Sequence, residues 1–345
     1  MTISKSLHKL ASPLLYGSGA YPWLWRRQAR RQPFTMVLVY HRVVEDGAAS
    51  SGQFGIERGV TASVFEAQIR FMLKHFVPVR ASQVLDPAAS ALRFAVTLDD
   101  GYTDNFRVAA PILNRLGVPA TFYVVSDFVA TDRLFWWEQL AGMVRATRVP
   151  VLDVQATLPE RVAAAQLPAS LPLHTDDLRE QAYESLSRAI RTDAHVALPT
   201  HMARLAAALG VEPRAEGRDY GLMDWQQLRL LVAQGHEIGG HTATHSNVIG
   251  LDRALLQQEL VAAHATLERQ LDAPVLSFAY PYGVYDAVHN TAAEVLAAAG
   301  CRLAFTGEKK MVRGQQNAFE LPRAVLNRHY PFACAFNVQH TLMQS

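Results

Sequence analysis

The stretch FAVTLDDG, residues 94–101, joins five apolar or β-branched residues to two adjacent carboxylates and a glycine. An apolar run of this kind predicts a strand that is buried on both faces, as the strands of parallel sheets are. In parallel α/β folds, ligands gather at the carboxyl ends of such strands. The stretch therefore predicts an α/β fold with a polar site at Asp99 and Asp100.

Similar apolar runs on either side of this stretch predict further buried strands. They lie at 36–40, 120–125, 275–280 and 302–306. Helical periodicity separates them, at 64–75, 103–116, 228–234, 253–271 and 290–299. Strands that alternate with helices imply a parallel sheet, and some seven of them in a row favour a barrel over an open sheet.

Between residues 127 and 224 the alternation stops. This stretch is rich in alanine and leucine and carries scattered charges and prolines. We interpret it as a mostly helical insertion within one domain that spans residues 34–335. The run FWWE at 135–138 permits two interpretations: its rings, Trp136 among them, line a sugar site, or they anchor the insertion to the barrel.

Composition excludes some classes of function. The chain has 345 residues, half of them hydrophobic, and a formal net charge of only +2. Nucleic-acid-binding proteins usually show a clustered basic excess, so we expect no nucleic-acid partner. Cys301 and Cys334 form no C-x-x-C motif, so neither a thiolate zinc site nor a disulfide framework is predicted.

Residues 1–33 form a basic and aromatic segment before the domain. Leucines and tryptophans up to Trp25 are followed by arginines at 26, 27, 30 and 31. This composition suits a surface helix that packs on the domain, and it also suits a peripheral contact with a membrane. Because no secretory signal or run of ~18 apolar residues is recognised, we expect a cytoplasmic protein, free or at the inner face of the membrane.

Two histidines, His241 and His245, follow a short β-like run and predict a metal site together with the carboxylates. On a helical turn their spacing would place both imidazoles on one face. One carboxylate with two imidazoles is the ligand set of a catalytic zinc site, although cobalt, nickel or iron take the same donors. The other carboxylate then takes a proton from water. The alternative is that Asp100 or Asp104 caps the next helix.

Three motifs of the chain resemble those of a known family. TLDDG at 97–101 followed by HTATH at 241–245 is similar to the motifs of the polysaccharide deacetylases, carbohydrate esterase family 4, and SFAYPYG at 277–283 is similar to a third family block. The approach to the histidines, MDWQQL at 223–228, fits the same family. The resemblance covers roughly residues 35–330 without the insertion. It implies a distorted (β/α)7-type barrel and hydrolysis of an N-acetyl group on a sugar.

The resemblance also implies roles for single residues. Asp99 would be the catalytic base, and Asp100, His241 and His245 would bind a divalent metal, with Zn2+ the expected ion. The backbone N–H of Tyr282 would face the tetrahedral oxyanion. The candidate substrate contacts are Tyr280, Pro281 and Trp136.

The third block departs from the commonest family pattern. That pattern has an arginine where this chain has Ala279, and the arginine normally orients the catalytic Asp. The sequence Tyr-Pro-Tyr-Gly resembles a subgroup that acts on surface or exported polysaccharides. Arg323, in LPRAV at 321–325, is the candidate for the missing charge, and a surface arginine is the alternative.

The general acid has two candidates. Family members often place Leu-x-His near the end of the domain, and LNRH at 326–329 offers His329 one residue away from that spacing. His41 closes the strand predicted at 36–40 and faces the same rim of the barrel. A capped core histidine is the alternative for His41.

These observations lead to one main hypothesis and three alternatives. The chain is expected to be a metal-dependent N-deacetylase acting on an amino sugar of a cell-envelope or surface polysaccharide, or on its lipid-linked precursor. The same site would serve an O-acetyl esterase or a deformylase of formamido sugars. Without the arginine of the third block, a non-catalytic glycan-binding protein is the last alternative.

Overall fold

The structure is a computed structural model that describes residues 5–47, 59–86, 92–191, 197–212, 221–284, 291–326 and 330–345. The strands are β1 (Phe34–Tyr40), β2 (Val43–Val44), β3 (Val60–Thr61), β4 (Val77–Pro78), β5 (Arg93–Leu98), β6 (Ala120–Val124), β7 (Val151–Asp153), β8 (Ser170–Pro172), β9 (Glu237–Gly240), β10 (Ser277–Ala279), β11 (Leu303–Phe305) and β12 (Val312–Arg313). The α-helices are α1 (Lys5–Gly17), α2 (Ala20–Arg31), α3 (Ala62–His75), α4 (Ala110–Leu116), α5 (Trp136–Ala146), α6 (Val154–Thr157), α7 (Pro159–Ala163), α8 (Asp176–Ile190), α9 (Ala197–Leu209), α10 (Trp225–Ala233), α11 (Arg253–Leu256), α12 (Ala263–Leu271), α13 (Thr291–Ala298) and α14 (Pro331–Met343). Short 3-10 turns lie at Ala81–Gln83, Ser126–Phe128 and Pro281–Gly283, and π-helical turns at Asn105–Ala109 and Gln257–Ala262.

The central sheet confirms the predicted fold class. Its strands follow the order β11-β10-β9-β6-β5-β1-β12, and the short β4 adds to β5. All pairs are parallel except β1 with β12. In this register Tyr40 stands opposite Leu98, and Val124 opposite Gly240. The strand ends that precede the two predicted motifs therefore lie at one rim of a curled sheet.

The curled sheet is bridged between its two sides by an extended stretch that we call the closing segment, residues 321–324. Leu321 forms an isolated parallel bridge with Phe305 of β11, and Ala324 forms one with Leu38 of β1. The Ala324 N–H donates to the Val37 carbonyl at 2.7 Å. The closing segment therefore takes the place of a further strand in the barrel.

Alternating residues of the strands belong to two different cores. Met36, Leu38 and Phe94 lie in the large core that the outer helices cover, together with Val96. Val37 and its neighbours form a smaller core on the opposite face of the sheet: Val37, Ala95, Tyr123, Ala279, Leu303 and Phe305. Because successive side chains of a strand point to opposite faces, the odd-numbered residues of β5 point into the barrel. Asp99 is the next odd-numbered residue after β5, so it lies on the side of the strand that faces into the barrel.

The stretch predicted as an insertion contains α5 to α9 and, in addition, the antiparallel pair β7–β8. The side chains of these elements form a core of their own, which includes Leu140, Val144, Leu186 and Leu205. Tyr102, at the end of the β5 loop, packs in the same core and accepts a hydrogen bond from the Trp137 indole at 3.1 Å. This core therefore reaches the rim of the barrel beside the first motif.

Two long helices predicted from the sequence, at 103–116 and 253–271, are each interrupted by a π-turn. Periodicity did not reveal either turn, because the helical segments on its two sides are too short for a change of phase to stand out in the apolar pattern. Both turns carry a buried polar residue that faces a motif loop, Asn105 in the first and Glu259 in the second.

The first two helices pack against the last one. Trp25 and Tyr21 of α2 are fully buried, and the Trp25 indole donates to the Gln339 side chain of α14 at 3.0 Å. Trp23 and Leu14 lie on the outer side and are 57% and 79% exposed. Among the residues that the structure describes, no helix has the length and apolar character that crossing a membrane requires.

Candidate active site

The first motif turns sharply as it leaves β5. Asp100 and Gly101 both have left-handed backbone conformations, with φ of 75° and 79°. Position 101 also requires glycine because a Cβ there would lie 2.6 Å from the Val124 side chain. A left-handed aspartate is an uncommon conformation that costs free energy, and such residues concentrate at functional sites. The turn leaves both carboxylates buried at the same rim, with Asp99 at 1% and Asp100 at 2% exposure.

The two histidines lie in a loop and not on the helical turn that their spacing predicts. Thr242 and His245 have positive φ values of 64° and 63°, which a right-handed helix does not allow. The loop, residues 241–245, is called the His loop below. It still brings the rings of His241 and His245 to a centroid distance of 4.9 Å. The prediction of a shared site is thus met by a different backbone geometry.

Glu259 holds the His loop in this conformation. Its carboxylate accepts hydrogen bonds from the backbone N–H groups of Ala243 and Thr244 at 3.1 and 3.0 Å, and from the Thr244 hydroxyl at 2.8 Å. The Glu259 backbone carbonyl accepts a further bond from Ala243 N–H at 2.9 Å. Sequence reasoning missed this residue; its signal is a carboxylate in the periodic run at 253–271.

Asp100, His241 and His245 converge on one point, and we call them the metal triad. The Nε2 atoms of His241 and His245 lie 3.5 and 3.3 Å from Asp100 Oδ1. The candidate ligand atoms all lie within 4.8 Å of one another. Within the described part of the chain, neither Asp100 oxygen has a hydrogen-bond partner, although both are buried.

The hydrogen bonds around the triad leave room for a cation. His241 Nδ1 lies 2.7 Å from the Ala279 carbonyl, which can only accept, so the proton is on Nδ1. The Nε2 lone pair therefore faces the Asp100 carboxylate, and two acceptors face each other. A buried pair of acceptors is unfavourable unless a positive charge lies between them. These donors fit a divalent metal with nitrogen and oxygen ligands.

The protonation states of the triad fit the same conclusion. Burial alone would raise the pKa of the Asp100 carboxyl, but a proton on the Nε2 atom of a facing imidazole, in the place that a metal ion would take, brings it below its ordinary value. Burial also lowers the pKa of His245. Metal ligands must be an ionised carboxylate and neutral imidazoles, and both shifts favour those forms near neutral pH.

Asp99 forms a buried ion pair with Arg323. The guanidinium donates to Asp99 Oδ1 at 2.7 Å and to the Thr97 hydroxyl at 3.3 Å, and it contacts the Thr306 carbonyl at 3.3 Å. Burial would raise the pKa of Asp99, yet the charge of Arg323 lowers it below the ordinary value. Arg323 is only 5% exposed, so the alternative of a surface arginine does not describe it.

The third motif forms a tight turn after β10. Tyr282 has φ of 60°, and a Cβ at Gly283 would lie 2.4 Å from the backbone of Gly307. The Tyr282 ring stands edge-on to His245 at 4.9 Å. Tyr280 is fully buried but contributes to the cavity wall, whereas Pro281 is buried in the turn and is not part of that wall.

The aromatic run at 135–138 contributes both to the cavity wall and to the core of the insertion. The Trp136 indole donates to the Tyr282 hydroxyl at 2.9 Å, and its ring lines the cavity. Trp137 and Phe135 belong to the core of the insertion and surround His245, with ring centroids 4.7 and 5.5 Å from the imidazole.

These residues enclose a cavity of about 520 Å³. Of the candidate site residues, the structure brings nine to its wall: His41, Asp99, Asp100, Trp136, His241, His245, Tyr280, Tyr282 and Arg323. His329, the second candidate for the general acid, lies outside the described residues. Sequence reasoning missed one wall, which comes from α8 and the loop after β11: Tyr183, Glu184, Ser187, Arg188, Arg191 and Lys309.

Comparison with known sequences gives two matches. The sequence model of the polysaccharide deacetylase family matches residues 88–151 and 194–303, which together make just over half of the chain. YxkH of Bacillus subtilis, described as a polysaccharide deacetylase, is 27% identical over 129 residues. That alignment covers 36% of this chain and 42% of YxkH, so it spans less than half of the curated relative.

Comparison with solved structures gives matches over most of the chain. IcaB from Ammonifex degensii superposes with a TM-score of 0.54 at 18% identity, covering 88% of this chain and 97% of that one. The Streptococcus pyogenes deacetylase PplD, solved in complex with acetate, gives a TM-score of 0.53 at 15% identity, with 90% and 99% covered. At these identities the likeness is one of fold.

Proposed function

This chain belongs to the polysaccharide deacetylase family, and from that premise we propose that it is a metal-dependent hydrolase that removes an N-acetyl group from an amino sugar. The observation that carries the proposal is the metal triad, which lies in the same cavity as the Asp99–Arg323 ion pair. The substrate we propose is a cell-envelope or surface polysaccharide, or its lipid-linked precursor.

In this proposal the triad would hold a divalent ion, and its two imidazoles and one carboxylate suit Zn2+. When bound, such an ion supplies Lewis-acid polarisation of the acyl carbonyl and acidifies a water molecule. Asp99 is the base that takes the proton from the attacking water. Arg323 keeps Asp99 ionised and fixes the direction of its carboxylate, as the arginine of the third block does in the commonest family pattern.

Residues at the rim of the cavity carry out the remaining steps in this proposal. The backbone N–H of Tyr282 is the proposed donor to the oxyanion that forms on the acyl carbon. When the C–N bond breaks, the leaving amine needs a proton, and His41 is the proposed donor because it lines the cavity beside Asp99. His329 remains the alternative acid. Trp136, held by its hydrogen bond to Tyr282, offers an aromatic face to the sugar ring.

Asp99→Asn tests the mechanism. The variant keeps the shape of the side chain but removes the base, so we expect kcat for acetate release to fall by about 10²–10⁴-fold. Zinc content, measured by mass spectrometry of the purified protein, should stay at one ion per chain. Asp132→Asn, an exposed carboxylate outside the cavity, is the matched control. Wild-type acetate release by Asp99→Asn would exclude Asp99 as the base.

The choice of bond is tested with three substrates. N-acetyl, O-acetyl and N-formyl derivatives of the same hexosamine oligosaccharide are compared for release of acetate and formate. Turnover of the O-acetyl or N-formyl compound alone would select the esterase or the deformylase. The glycan-binding alternative was motivated by the alanine at 279, and the position of Arg323 against Asp99 supports the enzyme over it.

For the organisation of the chain we propose a membrane-peripheral segment at residues 1–33, a deacetylase domain at 34–335 and an insertion at 127–224. The outer side of α2 supports the first part, because Trp23 and Leu24 are exposed beside the arginines at 26, 27, 30 and 31. Such a surface suits the inner, anionic face of a membrane, and a cytoplasmic location is proposed with it.

A further inference from the structure

One face of α8 forms a wall of the active-site cavity. Tyr183, Ser187 and Arg191 are spaced by four residues, and Glu184 and Arg188 stand beside them. Residues four apart lie on the same side of a helix, and eight residues span about 12 Å along its axis. The wall is therefore longer than the acetyl group that is hydrolysed, and it can also face neighbouring parts of the substrate.

Three cations on this side of the cavity have side chains without a structural partner among the residues that the structure describes. Arg188 of α8, Arg191 directly after that helix and Lys309 of the loop after β11, which we call the rim cations, are exposed. In the described part of the chain, the side chain of none of them forms a hydrogen bond or an ion pair. Arg179 on the same helix differs, because its guanidinium donates to the carbonyls of Leu173 at 2.9 Å and Thr147 at 3.2 Å.

The other charges of the cavity wall are already engaged. Asp99 is paired with Arg323, and Asp100 belongs to the metal triad. The rim cations therefore face one further carboxylate, that of Glu184, and this side of the cavity carries an excess of positive charge. A neutral N-acetylated glycan offers these groups no counter-charge, whereas a carboxylate or phosphate accepts the paired N–H groups of a guanidinium.

We propose that the rim cations recognise an anionic group, a carboxylate or a phosphate, that the substrate carries beside the amino sugar. The proposal rests on the deacetylase function above and specifies its substrate class. Arginines at the C-terminal end of a helix also interact with the helix dipole, and Arg188 lies in the last turn of α8 while Arg191 is its C-cap residue. That role does not account for Lys309, which comes from another element and lines the same cavity.

The test compares three N-acetylated probes, two tetrasaccharides and one monosaccharide. N-acetylated chitotetraose is neutral, an N-acetylheparosan tetrasaccharide carries carboxylates, and N-acetylglucosamine 1-phosphate carries a phosphate. We expect a higher kcat/KM for one of the two anionic probes, and the better one identifies the anion. The preference should decrease when NaCl is raised from about 50 to 500 mM, because salt screens exposed charges.

Variants assign the preference to the rim cations. Arg188→Gln, Arg191→Gln and Lys309→Gln should each lower the ratio of kcat/KM for the anionic probe to that for chitotetraose by about tenfold, mainly through KM. Arg188→Lys keeps the charge and should retain most of the ratio. Arg253→Gln, an exposed arginine outside the cavity, is the matched control. If the ratio is one in the wild type, or unchanged in all three variants, the proposal is wrong.

A binding measurement separates this proposal from the function on which it rests. Isothermal titration of the metal-free protein should show tighter binding of the anionic probe than of chitotetraose, and the three variants should lose that difference. If the probe binds in this way but no acetate is released from any glycan, the deacetylase function fails and the anion site stands. If chitotetraose is deacetylated without any preference for an anion, only the anion site fails.

Discussion

At the scale of single residues, the Asp99–Arg323 pair links the proposed catalytic base to the stability of the fold. Both side chains are at least 95% buried, and each neutralises the other in a low-dielectric interior. Removing one partner of such a pair leaves an uncompensated buried charge, which is more damaging than removing both. The pair therefore has to be examined with single and double variants.

Arg323→Leu should lower the free energy of unfolding by about 3–5 kcal/mol, because Asp99 is left buried and unpaired. Adding Asp99→Asn removes the charge and should restore part of that loss, although the double variant stays inactive. Urea unfolding of the wild type, the two single variants and the double variant measures the coupling between the two side chains. Equal stability of Arg323→Leu and the wild type would mean that the two side chains are not paired in solution.

The triad leads to a second prediction at this scale. His241→Gln and His245→Gln each remove one of three ligands, so the bound zinc should fall well below one ion per chain and acetate release should be lost. Dialysis against a chelator should abolish wild-type turnover, and added Zn2+ should restore it. His174→Gln, an exposed histidine of the insertion, is the control. Retention of full zinc by both variants would exclude this ligand set.

At the scale of elements, the two π-turns connect helices to the loops that carry Asp99 and the two histidines of the His loop. The turn at Gln257–Ala262 directs Glu259 towards the His loop, and the turn at Asn105–Ala109 places the Asn105 amide 3.5 Å from the Asp99 carbonyl. Buried carboxylates that receive several N–H groups fix a backbone in one conformation. The left-handed residues of the His loop require such support.

Glu259→Gln should therefore weaken zinc binding without touching a ligand. The amide oxygen can still accept the two N–H groups, but the negative charge that strengthens these bonds is lost and the Thr244 hydroxyl must change from donor to acceptor, so we expect a loss of about 10–100-fold in affinity. Competition with a chelating dye measures the dissociation constant. Glu294→Gln, on the exposed side of α13, serves for comparison. An unchanged constant would show that the His loop holds its shape without Glu259.

The membrane contact that we propose for the outer side of α2 can be measured directly. Trp23→Ala/Leu24→Ala removes two exposed apolar side chains, so sedimentation with phosphatidylglycerol vesicles should decrease roughly five- to tenfold. Pure phosphatidylcholine vesicles should bind less of the wild type, because the arginines then lack a counter-charge. Val151→Ala, an exposed apolar residue of β7, is the matched control. Absence of wild-type sedimentation with either vesicle would rule out the membrane contact.

At the scale of the whole molecule, a buried histidine makes stability depend on pH. His236 Nδ1 accepts the Ala120 N–H at 3.1 Å, and Nε2 lies 3.0 Å from the Asn114 side-chain oxygen. Burial lowers the pKa of His236 to about 4. In the unfolded chain the imidazole takes a proton near its ordinary value of 6.5. Its stabilising contribution is therefore complete above that pH and is lost as the pH falls towards 4.

We expect the free energy of unfolding to decrease between pH 7 and pH 4.5, with about 1–2 kcal/mol of the decrease due to His236 after allowance for its partial contact with solvent. His236→Gln should be less stable than the wild type at pH 7 but should show a smaller decrease. Urea unfolding at the two pH values measures the difference. The same pH dependence in both proteins would assign it to other groups.

The sequence predicted the parts of the molecule that leave a local pattern. Apolar runs marked β1, β5 and β6, and a carboxylate pair with an i, i+4 histidine pair marked the cavity. The closing segment was not foreseen because its two isolated bridges produce no periodicity. The left-handed backbone of the His loop depends on Glu259, which comes from a different element. The rim cations were missed because charged residues on a helix usually indicate a solvated face.

The closing segment also has a consequence for the order in which the protein becomes active during synthesis. Asp99 leaves the ribosome 224 residues before Arg323, its partner in the ion pair. A nascent chain that has already released the strands and the His loop would hold all three metal ligands while its base is still unoriented and the barrel still open. Hydrolytic competence would then arrive in one late step, and translation products that stop before the closing segment would bind metal but remain inert.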